Sequence, residues 1–133
     1  MKVLALAWAG IGDATINPVY KTILADQRAD GGWAQHADLE SDAYATGQTL
    51  CALQAAGVPA SDASYQKAVK YLLNTQRADG SWYVRSRSPK FQPYFESGFP
   101  YGHDQWISAM ATGWATAALA HALEPATMKA AAE

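Results

Sequence analysis

Cysteine, excess charge of either sign and long apolar runs are all scarce in this chain of 133 residues. Cys51 is the single cysteine, which excludes an intramolecular disulfide and a multi-thiolate metal site within the chain. Ten basic and twelve acidic residues leave a net charge of −2 without runs of like charge, so nucleic acid is not an expected partner. No apolar stretch approaches the roughly 20 residues of a membrane span. The sequence predicts no metal and no cofactor.

Large aliphatic residues are also few, whereas alanine is abundant. Leu, Ile, Val and Phe together number 22, against 28 alanines. Alanine has the highest helix propensity and its small side chain lets helix axes approach one another. Five Trp and seven Tyr supply the large buriable surfaces. The composition therefore predicts an all-α fold of closely packed helices.

Capping residues, prolines and glycines predict where the helices begin and end. Four helices are expected to begin at Asn17-Pro18, Ser41 or Asp42, Ser61 or Asp62, and Asp104, and to end before Asp30, at Gly57, near Gln76 and near Leu123. Residues 83–103 hold three prolines, two glycines and six aromatic residues. This pattern predicts a long aromatic loop, with a short strand considered at Trp82–Val84.

An internal repeat organises the chain. The segment Gln27–Trp33 recurs as Gln76–Trp82, 49 residues later, and Ala45–Leu53 recurs as Ala111–Leu119, 66 residues later. The offsets differ by 17 residues, which we assign to an insertion in the aromatic loop. We expect a single domain over 1–133, made of a repeat remnant (1–15), a first repeat (16–58), a second repeat (59–124, with its inserted loop at 83–103) and a tail (125–133).

The first residues have two interpretations. Ala5–Ile11 matches Ala52–Val58, which predicts the last turns of a helix whose beginning lies outside the sequence. Lys2 followed by an apolar run is also compatible with a minimal signal peptide. The repeat match favours the helix, because it predicts particular residues at particular places.

The second turn and the helix before it resemble a known motif. The residues Lys67-Ala68-x-x-Tyr71-Leu72-x-x-x-Gln76-x-x-x-Gly80-x-Trp82 match the QW motif of the squalene–hopene and oxidosqualene cyclases at every defined position. The first copy keeps only Gln27, Gly31 and Trp33 and is degenerate. The segments 41–57 and 105–119 are similar to inner helices of the terpenoid cyclase and protein prenyltransferase fold. The resemblance implies a partial α/α toroid of helix-pair repeats with one long aromatic loop, from the C-terminal part of such a protein.

The glutamine and tryptophan of each turn have a predicted structural role. A glutamine at a helix end can hydrogen-bond the unpaired backbone groups there and stack on the tryptophan, while glycine permits the tight turn between them. We therefore expect Gln27 with Trp33, and Gln76 with Gly80 and Trp82, to act as structural clamps. The alternative is that the tryptophans line a ligand pocket.

The chemistry of the resembled family is only partly represented. Squalene–hopene cyclases begin cyclisation with an aspartic acid of a DxDD motif, and this sequence has none; Asp38–Asp42 comes nearest, with the wrong spacing. The zinc motif of protein prenyltransferases is also missing, since Thr49 stands two residues before Cys51. The remaining catalytic candidates are Asp42, Glu96 and Asp104. Asp42 is more simply explained as a helix N-cap.

The aromatic loop provides candidates for ligand binding. In the toroid that the resemblance implies, this loop would lie over the mouth of the central cavity, with Trp106, Met110 and Trp114 facing inward or into the helix layer. The candidate ligand-binding residues are Tyr44, Phe95, Phe99, Trp106, Met110 and Trp114. A self-packed, capped loop is the favoured interpretation of this segment. Arg85 and Arg87 are candidates to pair with Glu96 or to bind an anionic group.

Two functions are compatible with these residues. The resemblance implies a squalene or terpenoid cyclase-like toroid domain, a fragment or subunit that handles an apolar isoprenoid in a helical cavity, and we expect the isolated chain to be inactive. The alternative is a non-catalytic helical repeat module for self-association or apolar-ligand binding. Partners are expected to be further copies of the chain or the remainder of a longer chain. Peripheral membrane contact stays an alternative, and a cytoplasmic or membrane-peripheral location is favoured over secretion.

Overall fold

A computed structural model describes residues 13–89 and 94–123 of the chain. Its helices are α1 (Asp13–Ala25), α2 (Ala43–Ala55), α3 (Ala63–Thr75) and α4 (Gln105–Leu123), with a short 3-10 turn at Gly102–Asp104 immediately before α4. The described residues contain no β-strand. The predicted all-α class is confirmed, whereas the short strand considered at Trp82–Val84 is wrong.

Local signals set the starts of α2 and α3. The Asp42 carboxylate accepts a hydrogen bond from the Ala45 N–H at 2.8 Å, and the Asp62 carboxylate accepts from the N–H groups of Ser64 and Tyr65. Each aspartate satisfies amides that have no partner inside the first turn. At both predicted starts the helix is therefore capped by the aspartate and not by the preceding serine.

The beginning of α1 differs from the prediction. Asn17-Pro18 was expected to begin this helix, yet α1 begins at Asp13 and contains Pro18 in its interior. A proline inside a helix removes one backbone hydrogen bond but does not prevent helical dihedral angles. The helix therefore starts upstream of the repeat boundary expected at residue 16. The segment 1–12, to which the truncated helix and the signal peptide were assigned, lies outside the described residues, as does the tail.

The core lies where α2 and α4 cross, with α3 packed against both. A Cβ atom added to Gly47 of α2 would lie 2.7 Å from the backbone nitrogen of Ala115 in α4, so the two helices touch through their backbones. The alanine excess serves this approach, because Ala111, Ala115 and Ala118 are all fully buried on α4. Cys51 is buried in the same core, and burial raises the pKa of its thiol.

Candidate functional site

The two Gln-to-Trp turns have the same backbone geometry. The Gln27 side-chain amide donates to the Gly31 carbonyl at 2.9 Å, and the Gln76 amide donates to the Gly80 carbonyl at the same distance. Both glycines have a positive φ, 89° at Gly31 and 84° at Gly80. Only glycine adopts this conformation without strain, which explains its place in each turn.

The indole groups close the ends of the preceding helices. Trp33 Nε1 donates to the Ile23 carbonyl at 2.8 Å, and Trp82 Nε1 donates to the Leu72 carbonyl at 2.9 Å. These carbonyls belong to the last turns of α1 and α3, where the ladder of i to i+4 hydrogen bonds ends. Each also has a local donor, since the Ile23 carbonyl accepts from the Asp26 N–H and the Leu72 carbonyl accepts from the Thr75 hydroxyl, both at 3.2 Å. We expected the glutamines to bond the helix ends, but the tryptophans do so, and both indoles are buried.

Each turn is also bonded to the helix that follows it. The Trp33 N–H donates to the Thr46 hydroxyl of α2, and the Trp82 N–H donates to the Thr112 hydroxyl of α4, both at 3.0 Å. The acceptors are 66 residues apart, as the second element of the repeat requires. The two copies therefore use the same contact between turn and helix.

Residues 82–86 form no β-strand pairing and are bonded to three polar residues of α4 and its 3-10 turn. We call these residues, Asp104, Ser108 and Thr112, the polar stripe. Val84 exchanges hydrogen bonds with the Ser108 hydroxyl at 3.0 and 3.1 Å, and the Ser86 N–H donates to the Asp104 carboxylate at 2.8 Å. Asp104, Ser108 and Thr112 follow one another at four-residue spacing, so they lie on one side of the helix. This spacing was visible in the sequence, but nothing local connects it to residues 82–86.

Asp42 is committed to two hydrogen bonds. Besides capping α2 through one carboxylate oxygen, it accepts from the Gln35 amide through the other at 2.8 Å. The Gln35 carbonyl oxygen in turn accepts from the Arg87 guanidinium at 2.8 Å. The candidate acid Asp42 is thus joined through Gln35 to the aromatic loop.

Asp104 also binds the loop. Its carboxylate accepts from the Tyr83 hydroxyl at 2.8 Å and from the Ser86 N–H, although the sequence analysis expected it to cap α4. Residues 83–87 therefore contact Asp104 through Tyr83 and Ser86, and reach Asp42 through Arg87 and Gln35. The structure brings two of the three candidate acids to one loop segment.

Glu96 lies apart from these two. Its carboxylate accepts from the Tyr94 hydroxyl at 2.6 Å and from the Gly98 N–H at 2.9 Å. The Tyr94 hydrogen bond is the main cause that lowers the pKa of Glu96 below its usual range. An exposed carboxylate that is held ionised lacks the raised pKa that proton donation near neutral pH requires. Arg87, a candidate partner of Glu96, binds Gln35 instead.

The candidate ligand-binding residues divide into two groups. Tyr44 of α2 and Trp114 of α4 are half-buried against the core, and Phe99 packs edge-on against Tyr101. Phe95, Trp106 and Met110 are exposed, with 66%, 58% and 51% of their side-chain surface accessible. Trp106 and Met110 therefore do not enter the helix layer.

Gln105 is a residue that the sequence analysis missed. It is fully buried at the start of α4, its amide nitrogen donates to the Phe95 carbonyl at 3.1 Å, and its amide oxygen accepts from both the N–H and the hydroxyl of Ser97. One buried side chain thereby fixes residues 95–97 of the aromatic loop against the start of α4. A buried polar residue at a helix start was the available signal, but its partners lie in a loop without regular pattern.

A polar groove of about 410 Å³ lies between the end of α3 and the start of α2. Asp42, Tyr71, Arg77, Trp82 and Tyr83 are among its lining residues. Trp82 therefore both closes α3 and borders this groove.

The comparisons with known proteins bear on the same helices and turns. The chain matches the family model of the squalene-hopene cyclase C-terminal domain over residues 12–132. It belongs to this family. Curated proteins and solved structures were also compared, and neither set contains a match.

In this member of the squalene-hopene cyclase C-terminal domain family, the described residues contain neither a metal-binding cluster nor a helix suited to span a membrane. Across residues 13–89 and 94–123, no three His, Cys, Asp or Glu side chains are grouped so that they could hold a metal ion. Among the helices described, none has the length and hydropathy that crossing a membrane requires.

Proposed function

We propose that this domain is part of a cyclase-like α/α toroid and holds an apolar isoprenoid against the inner surfaces of α2 and α4. The observation that supports this most directly is the position of Tyr44 and Trp114, half-buried on adjacent helices, with exposed Met110 one turn before Trp114. Aromatic and thioether side chains provide the apolar and polarisable surface that an isoprenoid chain contacts. Family membership makes such a ligand the natural choice.

Both Gln-to-Trp turns act in this proposal as QW clamps that fix the framework. They close α1 and α3 and bond to α2 and α4, so they position the inner helices without touching the ligand. Their bonding pattern supports a structural role for Gln27, Trp33, Gln76, Gly80 and Trp82 over a ligand-binding one.

A binding experiment tests the proposal. Squalene dispersed in detergent micelles should quench the tryptophan fluorescence of the chain saturably, whereas empty micelles should not. Trp114→Leu and Met110→Ser should each weaken squalene binding, measured by equilibrium partition of radiolabelled squalene, by roughly tenfold for a loss of about 1.4 kcal/mol. Ala37→Ser, which changes an exposed residue of the loop before α2, is the control. Equal binding by all variants would contradict this site.

A second candidate function, catalysis of cyclisation, rests on Asp104, which binds residues 83–87, and on Asp42, which is joined to them through Gln35. Incubation with squalene followed by mass spectrometry detects cyclised product. Product that disappears in Asp42→Asn or Asp104→Asn would establish catalysis without DxDD. Because the fixed hydrogen bonds of both aspartates support structural roles, we expect no product from the isolated chain.

A further inference from the structure

The face of α4 opposite its buried alanines is apolar and uncharged. Trp106 and Leu123 are exposed, the latter with 82% of its surface accessible, and the helix contains no Asp, Glu, Lys or Arg. By contrast, the exposed side of α3 carries Lys67 and Lys70. Apolar exposed faces without charge are typical of surfaces that meet another protein.

The corresponding face of α2 is covered, and it is covered by α4. The α4 positions Ala109, Gly113, Thr116 and Ala117 correspond, at the offset of 66, to four α2 residues that are all buried: Ala43, Gly47, Leu50 and Cys51. A Cβ on Gly47 would meet the α4 backbone at 2.7 Å, whereas a Cβ on Gly113 would meet no described atom within 4 Å. In α4, the helix of the second repeat, these positions are therefore uncovered, whereas in α2, the helix of the first repeat, α4 covers them.

The turn 76–82 is also uncovered, whereas its equivalent, the turn 27–33, packs against the next outer helix. The Gln27 amide donates not only within its own turn but also to the Ser64 carbonyl of α3 at 2.8 Å, and a Cβ on Gly31 would lie 2.5 Å from the Lys67 carbonyl oxygen. At the equivalent Gly80, the only atom that a Cβ would meet within 4 Å belongs to Gln76 of the same turn. The first turn therefore supports the next outer helix, and the second turn supports none among the described residues.

The ends of the outer helices repeat this difference. Leu24 of α1 is half-buried and packs against the core, whereas its equivalent Leu73 of α3 is 56% exposed. The uncovered positions therefore lie on both layers, on α3 with its turn and on α4. This distribution matches a missing helix pair better than a small ligand.

From these uncovered positions we infer that a second copy of this chain docks its α1–α2 pair onto α3, the turn 76–82 and α4 of the first. The pair α1–α2 can take this place because it is equivalent to α3–α4, the pair that packs on the first repeat: α1 corresponds to α3, and α2 corresponds to α4, at the repeat offsets. Gln48 and Thr49 of the second copy would lie against Gly113 as Trp114 and Ala115 lie against Gly47. Both are only partly buried in one chain. The contact is head-to-tail, so it builds a ring or an open array.

Light scattering on the full chain tests this inference, which does not depend on the proposed ligand. Over a concentration series, the wild-type mass should rise to a multiple of the single-chain mass. Gly113→Ala should remain a single chain, because the added Cβ would meet the docked backbone closer than 3 Å, as at Gly47. At a concentration low enough to keep the wild type a single chain, the circular dichroism melt of Gly113→Ala should show no loss of stability, since the site is open in one chain and alanine favours helix.

Two arginine substitutions, one on the proposed interface and one away from it, form a matched pair of variants. Thr116→Arg places a charge at an exposed position of the α4 face, and Ala37→Arg places the same charge at an exposed position of the loop before α2. We expect Thr116→Arg to abolish association and Ala37→Arg to leave the mass unchanged. A wild-type chain that stays single at every concentration would overturn the inference. So would an assembly that both Gly113→Ala and Thr116→Arg leave intact, or binding to phosphatidylcholine vesicles in place of self-association.

Discussion

At the scale of single residues, the pKa of Glu96 decides whether the aromatic loop carries a protonated acid or an ionised carboxylate near neutral pH. Because the Tyr94 hydroxyl donates to it, the pKa of Glu96 lies below the usual range, and Tyr94→Phe should raise that pKa. NMR titration of the side-chain carboxyl measures the change. Tyr83→Phe, which removes a donor to Asp104 instead, should leave the pKa of Glu96 unchanged.

The sign of the pH effect follows from the direction of the shift. A depressed pKa in the folded chain means that the contribution of Glu96 to stability is present above its unfolded pKa and is lost as the pH falls through the folded value. A measured pKa above the usual range for glutamate would contradict this arrangement. It would also restore Glu96 as a candidate proton donor.

The Thr46 hydroxyl provides a second test at the residue scale. It accepts the Trp33 N–H within the core and is fully buried. Thr46→Val would leave that amide without a partner, which we expect to lower the free energy of unfolding by about 1–3 kcal/mol. Urea denaturation followed by circular dichroism measures the loss.

Two further variants separate the hydrogen bond from packing. Thr46→Ser keeps the hydroxyl and should recover most of the stability. Thr112→Val, at the equivalent in α4, should cost less, because the Thr112 hydroxyl and its hydrogen bond to the Trp82 N–H are only partly buried. A Thr46→Val variant as stable as the wild type would show that this contact contributes nothing.

At the scale of elements, the polar stripe on α4 determines the conformation of residues 82–86. Ser108→Ala removes both hydrogen bonds to Val84, so the Val84 amide should exchange with solvent faster, while the Trp82 amide stays protected by Thr112. Thr112→Val should have the reverse effect. Hydrogen–deuterium exchange resolved by residue measures both, and equal protection of Val84 in the wild type and Ser108→Ala would contradict the role of the stripe.

At the scale of the whole molecule, the uncovered helix pair predicts how stability depends on concentration. If copies associate head-to-tail in the folded state only, mass action raises the melting temperature as the chain concentration rises. Differential scanning calorimetry at several concentrations should show this rise in the wild type. The Gly113→Ala variant should melt at a temperature independent of concentration, and the same rise in both proteins would exclude the α4 face as the contact.

Local patterns predicted much of the fold. Asp42 and Asp62 cap their helices because the bonds of an N-cap join residues two or three apart in sequence. Within the described residues α4 reaches Leu123, near which Pro125 led us to expect its end. Pro18 misled the prediction, because a proline favours a first turn but does not exclude the interior of a helix.

The candidate site was less predictable, because its bonds join residues far apart in sequence. Arg87 reaches Gln35 across 52 residues, and Tyr83 reaches Asp104 across 21. Composition identified the loop and its acids as candidates. Only the packing of the loop determined that Asp104 binds the segment 83–87 directly, that Asp42 reaches it through Gln35, and that Glu96 does not bind it.

By itself, the sequence determined the helical class, the two repeated turns and the resemblance to squalene–hopene cyclases, since these depend on composition, spacing and residues close together in the chain. The tertiary structure alone decided that the tryptophans close the helices, that hydroxyl groups of α4 hold an extended segment, and that Gly47 is covered while Gly113 is not. The physical reason is that both glycines have the same local sequence signal, Ala-Thr-Gly in a helix. What differs is the neighbour in space, which only packing supplies.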